Sequence, residues 1–82
     1  MDPLKLPLED LLYLRLGAFL DHLSGRKVPD LYQVVRDQLD RALLRQALDR
    51  HQGQVGLAAE FLGLDRNTLA RKLSRLKLAK AK

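Results

Sequence analysis

The chain has 82 residues, 46% of them hydrophobic, with no cysteine and a net charge of +5. That length suits one domain with a modest core, which oligomerisation commonly enlarges. The lack of cysteine excludes disulfides, zinc–thiolate sites and thiol catalysis, and no apolar run approaches the ~20 residues of a membrane span.

Leucine and alanine supply most of the apolar residues, and β-branched and aromatic side chains are few, so the composition favours an all-α fold. Four helices are predicted. The first runs from about Pro7 to Leu23, after a short extended lead-in over Met1 to Leu6. Pro7 suits a first helical turn, Glu9 and Asp10 sit at the positive end of the helix dipole, and Ser24-Gly25 supplies a stop. Leu8, Leu12, Phe19 and Leu23 share one face, while Leu14 and Ala18 widen the apolar surface past the ~100° stripe that a surface helix needs. The excess implies contacts on two sides, the second supplied by another chain. The second helix begins near Asp30, where Pro29 keeps Val28 extended and Asp30 or a neighbour caps. Its apolar series is Leu31, Val34, Val35, Leu39, Ala42, Leu43, Ala47 and Leu48. On its polar face Asp37 is expected to meet Arg41 and, more loosely, Asp40 to meet Arg45. It should fade at His51-Gln52-Gly53, with Gly53 at the C′ position.

Two short helices follow. Gln54 to Leu62 is one, closed by Gly63. Asp65 caps the next, which runs from Arg66 to about Leu76 or Leu78 with Leu69, Leu73 and Leu76 on its buried stripe. The tail from Ala79 to Lys82 should fray. Ala59 is small enough for close helix crossing, Gly63 permits a left-handed turn, and Leu64 points inward. That pattern meets the steric requirement of a helix-turn-helix, although an ordinary helical hairpin asks for similar residues.

Charge separates the two readings. Residues 1–49 carry seven basic and eight acidic side chains, whereas residues 50–82 carry eight basic and two acidic ones, and no acid follows Asp65. Arg66, Asn67, Ala70, Arg71, Ser74 and Arg75 point away from the leucine stripe, with Thr68 and Lys72 flanking it. The first residues of a recognition helix reach base edges, and an arginine there can bind guanine O6 and N7. Asn67 has adenine, phosphate or its own backbone as partners. Thr68, Arg71, Lys72 and Arg75 suit phosphates, which position a protein without reading sequence. Backbone N–H groups near Gln54 to Gly56 can hold a further phosphate at a helix start. Asp65 reads as a cap first, aided by an ion pair with a neighbouring arginine, with cytosine reading as its alternative. His51 lies near the same turn, within reach of a phosphate, and His22 reads as a surface residue.

The segments Pro7-Leu8, Leu23 to Gly25, Val28 to Tyr32, Leu43-Leu44 and LAAEFLGLDRNTLARKL from Leu57 to Leu73 resemble the Fis family, the factor for inversion stimulation. The likeness covers about residues 7–78. It implies four helices forming an intertwined homodimer core with a C-terminal helix-turn-helix. Residues 1–53 would form the lead-in and two-helix dimerisation core, and 54–82 the DNA-binding unit. The dimer core would draw on Leu8, Leu12, Phe19, Leu23, Leu31, Val35 and Leu39. Carried over by position, Arg66 matches the guanine-reading arginine. Thr68, Arg71, Lys72 and Arg75 match DNA-contacting positions, and Gln54 matches a phosphate-contacting one. The family's recognition helices lie too close for successive grooves of straight DNA, so the duplex bends to meet both. The chain departs from the family pattern at Asp65 (usually Asn), Ala70 (usually basic), Gly56 (often Thr), Ser74 (usually Lys) and Ala42 (sometimes Pro). Six residues before the first helix are too few for the β-hairpin arm of recombinase-stimulating members, so that activity is not carried over.

The resemblance implies a nucleoid-associated, cytoplasmic bacterial regulator. Its partners would be double-stranded DNA and a second copy of itself, with no metal, cofactor, membrane or small-molecule substrate. The alternatives are a protein-interaction or dimerisation module, or the DNA-binding end of an NtrC-type activator, which resembles the C-terminal part. An enzyme is not expected, because His22 and His51 stand apart with no nucleophile–base set.

Overall fold

A computed structural model describes residues 7–23 and 25–78, and all regular structure among them is helical. In chain order the elements are α1 (Leu8–Asp21), α2 (Leu31–Arg50), α3 (Val55–Leu62) and α4 (Arg66–Arg75). The expected boundaries agree closely because the local signals are strong. The lead-in over residues 1–6, Ser24 within the first stop, and the tail over residues 79–82 lie outside the described residues.

Pro7 sits just before α1, where its carbonyl accepts from the N–H groups of Asp10 and Leu11 at 3.0 and 3.4 Å. The entry to α2 differs from expectation. Asp30 is left-handed, with φ 58°, and its side chain makes no capping bond. A side-chain cap needs an extended backbone at that position, which the left-handed turn denies. Only the Asp30 carbonyl contributes, accepting from Val34 N–H at 2.9 Å.

Helices α2, α3 and α4 end alike, in a left-handed residue followed by an N–H that reaches back five residues. Gly53 donates to the Leu48 carbonyl at 2.8 Å, Leu64 to Ala59 at 2.9 Å, and Leu78 to Leu73 at 3.0 Å. The left-handed residues are Gln52, Gly63 and Lys77, at φ 52°, 74° and 57°. Gly53, expected at C′, therefore stands one position beyond it and Gln52 takes the C′ place, although the Gly53 φ of 77° is left-handed too. The reach-back bond from Gly53 requires Gln52 to make the turn.

The core is formed by Leu44, Ala47 and Leu48 of α2, Ala58 and Ala59 of α3, Leu69 and Leu73 of α4, and Leu76 just beyond. Val55, Leu62, Leu64 and Leu78 pack around it. Leu69 and Leu73, at 0% and 2% exposure, are its anchors. The Arg41 guanidinium donates to the Leu76 carbonyl and ties α2 to the end of α4. One expected assignment reverses. Leu43, placed in the α2 stripe, is 50% exposed, and its neighbour Leu44 is buried instead. Leu44, Ala47 and Leu48 follow i, i+3, i+4 and face α3 and α4. Val35, Leu39 and Ala42 lie on a different side.

That other side meets α1 across an apolar groove of about 310 Å³ lined by Leu12, Leu16, Phe19, Val35, Leu39 and Ala42, among others. No residue of α1 is buried. Of the positions read as dimer core, Leu8, Phe19 and Leu39 are exposed, and Leu12, Leu23, Leu31 and Val35 are half-buried. The described residues span 40 × 35 × 19 Å.

Candidate nucleic-acid interface

The candidate surface rests on the junction of α3 and α4. Ala58 and Ala59 are 0% and 2% exposed, and with only methyl side chains they let the two helices approach. Gly63 turns the chain at φ 74°, a conformation that costs a residue with a Cβ roughly 1–2 kcal/mol. Its N–H donates to the Glu60 carbonyl at 3.2 Å and so closes α3. Leu64, half-buried, packs against the core as its inward reading expected.

Asp65 starts α4. Its Oδ2 accepts from the backbone N–H groups of Asn67 at 2.9 Å and Thr68 at 3.4 Å. The ion pair expected between Asp65 and a neighbouring arginine is not among those formed by the described residues. Two backbone donors satisfy one carboxylate oxygen, and the arginines are left facing outward.

With Leu69 and Leu73 locked inward, the helix period fixes what faces solvent. Arg66, Asn67, Ala70, Arg71, Ser74 and Arg75 are exposed, and Thr68 and Lys72 are half-buried at the edges. The helix carries no carboxylate along its length. Arg71 Nη2 donates to Thr68 Oγ1 at 3.4 Å, one turn away, which pairs these two side chains on one face. Gln54 is exposed immediately before α3, with its side chain free of any capping bond.

The last turn of α4 behaves differently. Arg75 leans back to α2, where its Nη1 donates to Asp37 Oδ1 at 3.0 Å and its Nη2 lies 3.9 Å from Asp40 Oδ2. Lys72 Nζ lies 3.9 Å from that same Asp40 oxygen. The expected pairs along α2, Asp37 with Arg41 and Asp40 with Arg45, are not the ones formed. Arg41 is drawn to the Leu76 carbonyl, and α4 brings more closely placed cations to the two acids. Asp37 also accepts from Gln33 Nε2 at 2.8 Å. The Gln33 hydrogen bond and then that of Arg75 hold its carboxyl below the ordinary aspartate range. Arg36 stands beside the acids, with its guanidinium 5.9 Å from the Tyr32 ring centroid. These acids were missed as part of the surface because their partners lie 38 residues further along for the Asp37 pair. No local spacing carries that signal.

His51 does not take the phosphate-facing option. Its ring packs against Phe61 with centroids 5.1 Å apart, and its Nε2 is buried without a partner. The group is thus directed into the α2–α3 junction. Among the described residues no cluster of His, Cys, Asp or Glu is arranged to hold a metal ion, and no helix is long and apolar enough to cross a membrane.

The profile of the family described as "Bacterial regulatory protein, Fis family" matches residues 35–76. The match begins in α2 and includes the whole buried core, the turn and α4. Relatives named "DNA-binding protein Fis" match over a longer stretch. The one from Aliivibrio fischeri (strain MJ11) is 33% identical over 69 residues, covering 84% of this chain and 70% of its own. That from Aeromonas hydrophila subsp. hydrophila is 32% identical over 74 residues, covering 90% and 76%. That from Buchnera aphidicola subsp. Acyrthosiphon pisum (strain 5A) is 33% identical over 72 residues, covering 88% and 74%. No solved structure matches the chain. With a family profile spanning half its length and relatives aligned across most of it, the chain belongs to the Fis family.

Proposed function

We propose that this chain binds double-stranded DNA as a homodimer, inserts α4 of each protomer into a major groove, bends the duplex to engage both copies, and regulates transcription as a nucleoid-associated protein. The observation that carries the reading is the solvent-facing side of α4. It is basic and free of carboxylates, and it is held outward by two fully buried leucines. Arg66 is the base-reading side chain, and Asn67 lies beside it. Gln54, Thr68, Arg71, Lys72 and Arg75 meet phosphates, the last two at a margin where α2's carboxylates stand close by. The homodimer is supported by the unburied apolar surface of α1, with Leu8, Leu12, Phe19, Leu23, Leu31, Val35 and Leu39 as its members. Residues 1–53 and 54–82 then divide by role alone, because the buried core joins the end of α2 to α3 and α4 across that boundary.

A salt titration tests this. Phosphate contacts make the logarithm of affinity fall with the logarithm of salt by about 0.9 per contact. A steep slope is expected. Binding that is absent or indifferent to salt would favour the protein-interaction module instead. Arg66→Ala should cost about 1–3 kcal/mol on the preferred site and relax base preference there. Unchanged selectivity in gel-shift competition between sites would remove Arg66 from its role.

A further inference from the structure

We propose that Asp37 and Asp40 act as internal competitors for the phosphate-facing cations of α4. They hold Arg75 and Lys72 against α2 and so weaken the protein's grip on DNA at the C-terminal end of the recognition helix. This rests on the DNA-binding reading above and adds a control to that same surface.

The argument starts from the arginine fork. A guanidinium binds phosphate well when two parallel N–H groups are free to point at it. In Arg75 one end, Nη1, is taken by Asp37 at 3.0 Å, and the other, Nη2, faces Asp40 at 3.9 Å. Asp40 also lies 3.9 Å from Lys72 Nζ, so one carboxylate oxygen serves two cations. These contacts are preorganised from the α2 side. Gln33 donates to the same Asp37 oxygen that Arg75 uses, at 2.8 Å. The Asp40 side chain is only 21% exposed, so its carboxylate is constrained in place.

Exposed ion pairs are individually weak, so a phosphate is able to draw the cations away. The carboxylates would nevertheless stay where they are. A phosphate arriving at Arg75 or Lys72 would sit well within the Debye length of about 10 Å from two fixed negative charges. The acids therefore act twice, by occupying donors and by repelling the ligand. At the N-terminal part of α4 the neighbouring carboxylate, Asp65, takes backbone N–H groups and no cation's donors among the described residues, so the occupation of donors is confined to the other end. The recognition helix is thus graded, with open cations at its start and masked ones at its end.

The test compares the full chain with Asp37→Asn, Asp40→Asn and the double variant on one short duplex of mixed sequence, titrated between about 50 and 200 mM salt. Asp49→Asn is the control, because it removes one charge from α2 at a residue that pairs with no cation among the described residues. Circular dichroism verifies that each variant is helical. The double variant should bind several-fold more tightly, with a slope steeper by about 0.9 for each cation released. The control should leave the slope unchanged. The proposal is overturned if the double variant binds no better than the unmodified chain, or if Asp49→Asn strengthens binding as much as Asp37→Asn and Asp40→Asn each do, which would reduce the acids to net charge. Weaker binding by a folded double variant would also overturn it, since the acids would then be positioning the cations for DNA. If only the double variant binds, the masking is complete and the proposal stands. If neither binds at any salt, the DNA-binding reading falls and takes this inference with it.

Discussion

The two halves of the molecule are made of much the same residues, yet only one closes on itself. From Leu44 to Leu78 the chain buries leucines and alanines from three helices in a common core, and every helix in that stretch ends in a reach-back turn. From Leu8 to Leu43 it buries none of its large side chains, although leucine is as frequent there. The difference lies in geometry. Helices α3 and α4 are short and joined by a tight turn, so small residues at their crossing bring both onto α2. Among the described residues helix α1 has a single neighbour, α2, and two helices cannot cover a surface that is apolar on more than one side. A Leu-rich helix thus signals burial by something. Whether the same chain supplies that something depends on the connections.

The widest separation between the halves should come from leucine truncation. Leu69→Ala should cost about 2–5 kcal/mol in urea denaturation, because it empties a fully enclosed site. Leu14→Ala, at a side chain 68% exposed, should cost only a fraction of that in dilute protein. If a second copy covers α1, the cost of Leu14→Ala should grow with protein concentration, which locates the missing cover. A large cost independent of concentration would mean that α1 is enclosed by its own chain.

Glycine substitutions should separate the halves by sign. Gly63→Ala places a Cβ at φ 74° and should destabilise by roughly 1–2 kcal/mol. Gly17 lies inside α1 and a Cβ there meets nothing within 4 Å, so Gly17→Ala should stabilise the single chain by about 0.5–1 kcal/mol. Destabilisation at Gly17 in thermal melts would reveal a close approach of another backbone. Removal of the α4 cap, Asp65→Ala, should cost about 1 kcal/mol through the two backbone donors it leaves open. No equal loss is expected at Asp30, whose side chain caps nothing.

The smallest effect bridges the two halves. Asp37 has its carboxyl pKa lowered by Gln33 and Arg75, so its folded form prefers the charged state. Its contribution is therefore present above the unfolded aspartate pKa and is lost as pH falls through the lower, folded value. The window lies below about pH 4. Asp37→Asn should remove a small contribution throughout the range above about pH 4 and converge on the unmodified chain at lower pH, which flattens the acid side of the stability–pH curve. A change confined to pH above 6 would contradict the assigned contacts.

Much of the closed half was legible in the sequence because its signals are local. Gly63, Asp65 and the Leu69–Leu73–Leu76 stripe each act within a turn or two. The division of α2 between two faces was less legible, since Leu43 and Leu44 both fit a helical period and only the position of α3 and α4 decides between them. Left-handed Asp30, Gln52 and Lys77 were hidden because non-glycine residues seldom advertise that conformation. The cross-helix pairs of Arg75 and Lys72 were invisible for a simpler reason. Charge spacing along α2 predicted partners one turn away, and folding supplied others from α4.

The most direct test is the mass and salt dependence of the complex formed by the full chain with a short duplex, read by sedimentation. Two chains per duplex, with affinity falling steeply as salt rises, is the predicted result. A single chain per duplex, or a complex insensitive to salt, would contradict the picture of an open half completed by a second copy and a closed half that presents α4 to DNA.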